Sequence, residues 1–221
     1  FVTMLATLVL AALGAAAVFP APGAYRYTAS MAGQSVGSWS VTVTNGGDST
    51  TIAEESRASI GGLQLAATAS LVLGPDLAPT RYDGHYRTPG QNPNVSVVLT
   101  PSAATVVGAF NTEPQQVPLG SNTRHFVVIE PGLLAGLFAL PAQLRSWKDP
   151  AVTWITPTTA QAQSLTVGAQ TSARPADVPS QDALLSIDRP IAVTIWYDPS
   201  TLVPDEIVVP SQNAVLTRQR S

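Results

Sequence analysis

The feature that most constrains this chain is an alternation of apolar and polar side chains with a period of two, which begins at Tyr25. Successive side chains of a β-strand point to opposite faces of a sheet, so this period is typical of strands with one face toward a core. Turn signals rich in glycine and asparagine interrupt the alternation at residues 33–35, 45–48 and 61–62, as tight hairpins require. The sequence therefore predicts a four-stranded antiparallel meander that ends near Leu73.

The rest of the chain continues in the same style, with one exception. Further strands are predicted at residues 80–87, 95–100, 105–110, 124–129, 152–155, 164–169, 183–187, 191–197, 207–209 and 215–217. The exception is Pro131–Trp147, where leucine and phenylalanine recur at the i, i+3 and i+4 spacing of a helix. We expect one short helix there, which begins at Pro131 and is kinked or split by Pro141, and a long exposed loop at 171–181. The predicted fold class is mostly β, an antiparallel sheet with one short helix packed against it.

Residues 1–19 contain no charged side chain and grade from leucine and valine into three alanines. This pattern is typical of the apolar region and small-residue cleavage site of a secretory signal peptide. We therefore expect residues 1–23 to be a signal peptide that lacks its own start, and residues 24–221 to form one domain in the periplasm or at the cell surface. The alternative is a retained membrane anchor, because about 19 apolar residues can just cross a bilayer. After cleavage no membrane span would remain.

Charge and composition exclude several classes of function. The formal net charge is −3 and 11% of the residues are charged, so the chain has no basic surface for nucleic acid. It has no cysteine, which excludes thiol nucleophiles, thiolate metal sites and iron–sulfur clusters. The acidic neighbours at 54–55 and 205–206 point to opposite faces of their strands, unlike the facing carboxylates of a glycosidase. Phosphate-binding, dinucleotide-binding and calcium-loop motifs are absent as well, and we expect no cofactor.

Two motifs resemble catalytic sites, and neither has the context that its chemistry needs. Gly33, Ser35 and Gly37 match G-x-S-x-G, which places a serine on a strand-to-helix elbow in α/β-hydrolases, whereas an alternating strand follows here. Asp83 and His85 share one face of a predicted strand, but two ligands are fewer than the three or four of a zinc site. We therefore predict no catalytic and no metal-binding residue, and favour a protein that is not an enzyme.

Aromatic side chains are the best candidates for contacts with a ligand. Small residues such as Ala29, Ala67 and Ala69 alternate with larger apolar ones, which leaves room inside a curved sheet. The alternative is that the aromatic side chains fill the core or pair across strands. The candidate ligand-binding residues are Tyr27, Trp39, Tyr82, His85, Phe138 and Trp196.

Short motifs at both ends of the domain carry a resemblance to a known family. They are Tyr-Arg-Tyr at 25–27, Gly33, Val-Gly at 36–37, Trp-Ser-Val at 39–41, Trp-Tyr-Asp-Pro at 196–199 and Leu-Val-Pro at 202–204. With the leucine-rich Pro131–Trp147 segment between them, they resemble a family of uncharacterised exported bacterial β-rich proteins. The resemblance implies a curved antiparallel sheet or incomplete β-barrel wrapped over a short helix, similar to the periplasmic lipoprotein carriers, in which the concave face holds acyl chains. It implies no catalytic residues.

Three hypotheses of function follow. The first is a non-enzymatic exported protein that binds a lipid, another hydrophobic small molecule or a cell-envelope component on the concave sheet face, which requires an unfilled volume of about 300 Å³. The second is an envelope-acting hydrolase that uses Ser35 or the pair of Asp83 and His85, and the serine version requires a histidine within reach of the hydroxyl. The third is a structural or adhesive β domain, which requires an unprotected edge strand.

Overall fold

The computed structural model describes residues 19–108, 111–119, 125–147, 151–169 and 171–220, without the side chains of Asn111 and Thr112. Residues 1–18 of the expected signal peptide lie outside these ranges. The described chain forms one sheet of fifteen strands and one α-helix. No helix within it combines the length and the apolar character that crossing a membrane requires.

The first eight strands precede the helix region and the last seven surround and follow it. Their bounds are β1 (Gly23–Met31), β2 (Gln34–Asn45), β3 (Thr50–Ile60), β4 (Leu63–Leu73), β5 (Pro79–Arg87), β6 (Asn94–Leu99), β7 (Ala103–Gly108), β8 (Asn111–Pro118), β9 (His125–Val128), β10 (Val152–Thr156), β11 (Gln161–Val167), β12 (Ala183–Arg189), β13 (Val193–Tyr197), β14 (Pro204–Val209) and β15 (Ala214–Gln219). The helix α1 spans Ala135–Ser146, and short 3-10 turns occupy Pro157–Thr159 and Pro210–Gln212.

The order of the strands forces the sheet to curl. The first and last strands, β1 and β15, pair in the middle of the sheet, and β8 and β9 form its two edges. Fifteen strands laid flat would be roughly 65 Å wide, yet residues 119–124, which join β8 to β9, span at most roughly 25 Å. The edges therefore approach each other, with β8 against β11 and β9 against β5. No ladder joins β8 to β9 in the described chain, so the roll is an open, barrel-like sheet.

The β9 edge lies inside the roll. Its residues Phe126, Val127 and Val128 are all buried, which explains why this stretch is continuously apolar instead of alternating. β9 pairs parallel with β10, and α1 provides the crossover between them, because a hairpin cannot connect parallel strands. The prediction of a wholly antiparallel sheet is therefore wrong for this one pair, and the other thirteen pairings are antiparallel.

The meander of β1 to β4 is confirmed, with a shift at its first turn. Ala32 and Gly33 occupy the turn with φ of 49° and 78°, so residues 34 and 35 belong to β2. Two consecutive positive φ values characterise the two-residue hairpin whose twist matches that of the strands. The β3–β4 hairpin turns at Gly61 and Gly62, as predicted, with φ of 58° and 82°.

The helix begins later than predicted and is not split. Gly132 has φ of 85°, a left-handed conformation that an α-helix cannot include, so α1 begins at Ala135 instead of Pro131. It continues through Pro141 to Ser146, although proline removes one backbone hydrogen bond. Residues 135–143 are all buried, and packing on every side of the helix holds these turns together. A helix that is apolar all round belongs in a core.

Two further predictions about the strands need correction. β8 was not predicted, because Pro114 and Pro118 disrupt its pattern; it is an edge strand, where proline is tolerated. The predicted strand at 105–110 is β7, which ends at Gly108, and residues 109–110 lie outside the described chain. The predicted loop at 171–181 contains no strand or helix among its described residues.

Candidate functional site

Three of the six candidate ligand residues fill the core. Tyr27 and Phe138 are 0% exposed and Tyr82 is 1% exposed. The Tyr27 hydroxyl donates to the Pro204 carbonyl at 2.8 Å, and the Tyr82 hydroxyl lies 3.3 Å from that of Tyr86. Burial raises the pKa of Tyr27 and of Tyr82 above the ordinary tyrosine value. These side chains are structural in this conformation.

The other three candidates lie apart from one another. His85 is exposed on the outer face, where its Nδ1 is 2.8 Å from Asn94 Oδ1. Trp196 belongs to a small separate cluster with Val178 and Leu184, and the Arg174 guanidinium stands 4.7 Å from the centre of its ring. Trp39 is partly buried beside the main core. The structure therefore does not bring the six residues into one site.

Trp39 contributes to an apolar pocket. Its indole N–H donates to the Gly132 carbonyl at 3.2 Å, which places the ring between β2 and the loop that leads into α1. The pocket has a volume of about 260 Å³. Its lining residues are Ala29, Met31, Val36, Trp39, Ile60, Gly132, Leu133, Leu134, Leu137, Val209, Gln212, Ala214 and Leu216.

The pocket exists because small residues of the sheet face large residues of the helix region. Ala29 of β1 and Ala214 of β15 line it on the sheet side, where β1 and β15 pair. Leu133 and Leu137 line it on the helix side. Of the three alanines expected to leave room, Ala29 lines this pocket, whereas Ala67 and Ala69 lie elsewhere on the sheet.

The pocket has no ionisable side chain in its wall. Gln212 contributes the one polar side chain apart from the Trp39 indole, whose N–H is already hydrogen-bonded. Such a wall offers dispersion contacts and apolar surface, and no charged group. The arrangement offers no group for acid–base or nucleophilic chemistry.

A buried carboxyl group secures the helix behind this pocket. Glu54 of β3 accepts the backbone N–H groups of Leu134 and Ala135 through one oxygen, each at 2.7 Å. Negative charge is favourable at a helix N-terminus, but Glu54 is 3% exposed and its other oxygen has no hydrogen-bond partner. Burial raises the pKa of Glu54 to about 7. The loop from Gly132 to Leu134 is thus held by Trp39 on one side and Glu54 on the other.

A second buried acid holds the 3-10 turn that follows β10. Glu130 is 5% exposed and accepts the hydroxyl and backbone N–H of Thr158 at 2.5 and 2.9 Å. Burial raises the pKa of Glu130 above its ordinary value. Both acids therefore make structural contacts at the two ends of the loop region around 130–134.

Acidic residues also gather around the long loop. Asp182 is 3% exposed and neither of its carboxylate oxygens has a hydrogen-bond partner. Burial, and then the neighbouring carboxyl of Asp205, raises the pKa of Asp182 to about 6. Asp205 is itself paired with Arg218 at 3.3 Å and Arg220 at 3.0 Å. A neighbouring carboxyl group disfavours the ionised form of Asp182.

The catalytic motifs do not acquire the partners they would need. Ser35 is an exposed residue of strand β2, so the elbow of a serine hydrolase is not formed. Asp83 accepts from Arg81 at 2.6 Å and from Ser96 at 2.7 Å, and the hydrogen bond to Arg81 lowers its pKa. Among the described residues, no group of three or more histidine and acidic side chains is placed to hold a metal ion.

No family model and no curated protein matches the sequence. The fold is similar to that of a β-barrel-like protein of domain of unknown function DUF1849 from Brucella abortus, with a TM-score of 0.54, 8% identity, and coverage of 92% of this chain and 97% of that chain. A DUF1089 family protein from Pseudomonas aeruginosa aligns with a TM-score of 0.46 and 8% identity over 93% of this chain and 95% of that chain.

At 8% identity the likeness to the Brucella protein is a likeness of fold alone. It confirms the predicted mostly β, barrel-like architecture, and it confirms that this chain resembles uncharacterised bacterial β-rich proteins. The chain is an open, curled β-sheet wrapped around a single helix, with the fold of a barrel-like domain of unknown function.

Proposed function

We propose that this protein is exported and, without catalysing a reaction, binds a small apolar molecule or one chain of an envelope lipid. The binding site is the pocket between α1 and strands β1, β2 and β15. The observation that carries the proposal is its wall, in which none of the thirteen lining residues is ionisable. Ligand pockets are typically apolar clefts with few polar groups.

The size of the pocket limits the ligand. Its volume of about 260 Å³ exceeds the roughly 150 Å³ of an engineered apolar cavity that binds benzene. It is slightly below the roughly 300 Å³ at which ligand pockets usually begin. The helix α1 packs against β3, β4 and β9, and the pocket beside it is too small for several acyl chains. The site therefore suits one ring system or one short aliphatic chain.

The expected affinity is modest. A ligand that loses about 200 Å² of apolar surface gains about 5 kcal/mol, and part of this gain is offset by the lost freedom of the bound molecule. A gain of about 5 kcal/mol alone corresponds to a dissociation constant of about 0.2 mM, so we expect dissociation constants of about a millimolar.

The test uses the uncharged fluorescent probe N-phenyl-1-naphthylamine, which emits strongly in apolar surroundings. We expect saturable fluorescence with the native chain and its loss in Ala29→Leu, because the longer side chain occupies the pocket. Ala67→Leu is the matched control, since it makes the same change on β4 outside this pocket, and it should bind the probe like the native chain. Absence of binding by the native chain, or unchanged binding by Ala29→Leu, contradicts the proposal.

Native mass spectrometry of protein purified from its own envelope identifies the natural ligand. We expect a bound apolar molecule of a size that the pocket can hold, and a lower occupancy in Ala29→Leu. A ligand that remains equally bound to Ala29→Leu would place the binding site elsewhere.

A further inference from the structure

The pocket opens at an end of the sheet where three reverse turns meet. The β1–β2 turn lies against the β14–β15 turn, since the Ala32 N–H donates to the Asn213 carbonyl at 3.0 Å. Met31, Ile60 and Gln212, which flank the β1–β2, β3–β4 and β14–β15 turns, all line the pocket. We name these three turns, residues 31–36, 59–64 and 209–216, the turn rim.

The turn rim carries no charge. None of the residues 31–36, 59–64 or 209–216 is acidic or basic, although the chain has 25 charged residues in all. An interface with a charged protein, nucleic acid or anionic surface needs complementary charges. The rim offers none, and this points to an uncharged partner.

The β3–β4 hairpin adds exposed apolar side chains to the rim. Ile60 and Leu63 flank its turn and are 37% and 55% exposed. At Gly61 and Gly62, between them, the space that a side chain would occupy is empty to a distance of 4 Å. The tip therefore projects from the sheet, with Ile60 also forming part of the pocket wall.

We infer that the turn rim docks on a zwitterionic lipid surface, with Ile60 and Leu63 inserted, and that the pocket exchanges its ligand there. This inference rests on the proposed function, because an apolar ligand dissolves poorly in water and is concentrated in membranes. Two projecting side chains around a concave mouth are too small for a stable protein–protein interface, which buries at least about 1,000 Å². They are suited to insertion among lipid chains, and the apolar surface continues from Ile60 into the pocket.

We expect the docking to be weak, because the inserted area is small and the turn rim has no charge. Membrane affinity scales with the apolar area inserted and with attraction to anionic lipids, and here the second contribution is missing. Even one myristoyl chain gives only marginal, reversible binding. The contact is therefore transient, as ligand exchange requires.

The test is co-flotation of the full chain with vesicles of phosphatidylcholine alone. We expect a small fraction of the native chain to float, rising in proportion to the lipid concentration, and Leu63→Ser to lower the partition coefficient about five-fold, because this half-exposed side chain loses its insertion energy. Val98→Ser is the matched control, since Val98 is 50% exposed on β6, away from the rim, and its partition should be unchanged. Adding phosphatidylglycerol should not increase binding, and salt should not decrease it.

Separate variants distinguish this inference from the proposed function. Leu63 does not line the pocket, so Leu63→Ser should keep N-phenyl-1-naphthylamine binding in solution. Ala29→Leu should lose the probe and keep vesicle binding, because Ala29 lies away from the tip.

Three results would overturn the docking inference. The first is that the native chain does not float with phosphatidylcholine vesicles, and the second is that Leu63→Ser floats like the native chain. The third is that the partition coefficient of Val98→Ser falls as much as that of Leu63→Ser. A concentration-dependent dimer in sedimentation that Leu63→Ser abolishes would instead assign the turn rim to a second copy of this chain.

Discussion

The carboxyl group of Glu54 makes the stability of this fold depend on pH in a direction that can be measured. Glu54 is buried and accepts two backbone N–H groups at the start of α1, while its second oxygen has no partner. Its pKa rises from 4.5 to about 7 on folding, so folding takes up a proton between these values. The contribution of protonated Glu54 is complete below pH 4.5 and is lost as the pH rises through 7.

The magnitude follows from the two pKa values. About 2.5 pH units at about 1.4 kcal/mol each gives about 3 kcal/mol of stability lost by the native chain between pH 4.5 and pH 8. Glu54→Gln keeps an acceptor oxygen of the same shape for both N–H groups and cannot ionise. The variant should therefore equal the native chain in stability near pH 4.5 and exceed it by about 3 kcal/mol at pH 8.

Urea unfolding followed by circular dichroism at pH 5, 6, 7 and 8 measures this difference. Glu55→Gln is the matched control, because Glu55 is the next residue, faces solvent on the opposite side and pairs with exposed Arg57 at 2.7 Å. Its difference from the native chain should stay within about 0.5 kcal/mol at every pH. A difference between Glu54→Gln and the native chain that does not grow with pH would refute the reasoning.

The remaining predictions concern the close packing of Gly136 against the backbone and the buried carboxyl group of Asp182. Gly136→Ala should lower stability by about 3 kcal/mol, because its Cβ would lie 2.1 Å from the Val128 carbonyl oxygen. The control Gly74→Ala, whose Cβ would have its nearest neighbour at 3.4 Å, should melt at nearly the native temperature. Equal losses of stability in the two variants would contradict this explanation. Asp182→Asn should raise the melting temperature more at pH 7.5 than at pH 4. Burial, and then Asp205, raises the pKa of Asp182 to about 6, so the contribution of its protonated form to stability is lost as the pH rises. A larger gain at pH 4 would contradict this explanation.

The strands and hairpins could be predicted because their signals are local. The alternation from Tyr25 to Leu73 and the glycines at 61–62 correspond directly to β1 to β4 and their turns. The wrong predictions concern segments whose structure depends on neighbours remote in sequence. β8 pairs as an edge strand despite its prolines, and α1 continues through Pro141 because the sheet encloses it.

The pocket could be anticipated only in part. The sequence predicts Ala29 as a small residue inside the curve and Trp39 as an aromatic ligand contact, and both line the pocket. The exposed pair Ile60 and Leu63 was missed, although two large aliphatic residues around a Gly-Gly turn are a signal that the sequence does contain. Glu54 was assigned correctly to the face opposite Glu55, but no local pattern shows that this face meets the N-terminus of a helix.

A mostly β domain with one apolar helix follows from the sequence alone, because the direction of each side chain in a strand depends only on its position. Which strands meet and how far the sheet curls depend on contacts between residues remote in sequence. β1 pairs with β15 and the Tyr27 hydroxyl bonds to Pro204, 177 residues away. The short link between β8 and β9 forces the roll, and the roll encloses α1. The pocket is the space that the small side chains of β1 and β15 leave unfilled against that helix.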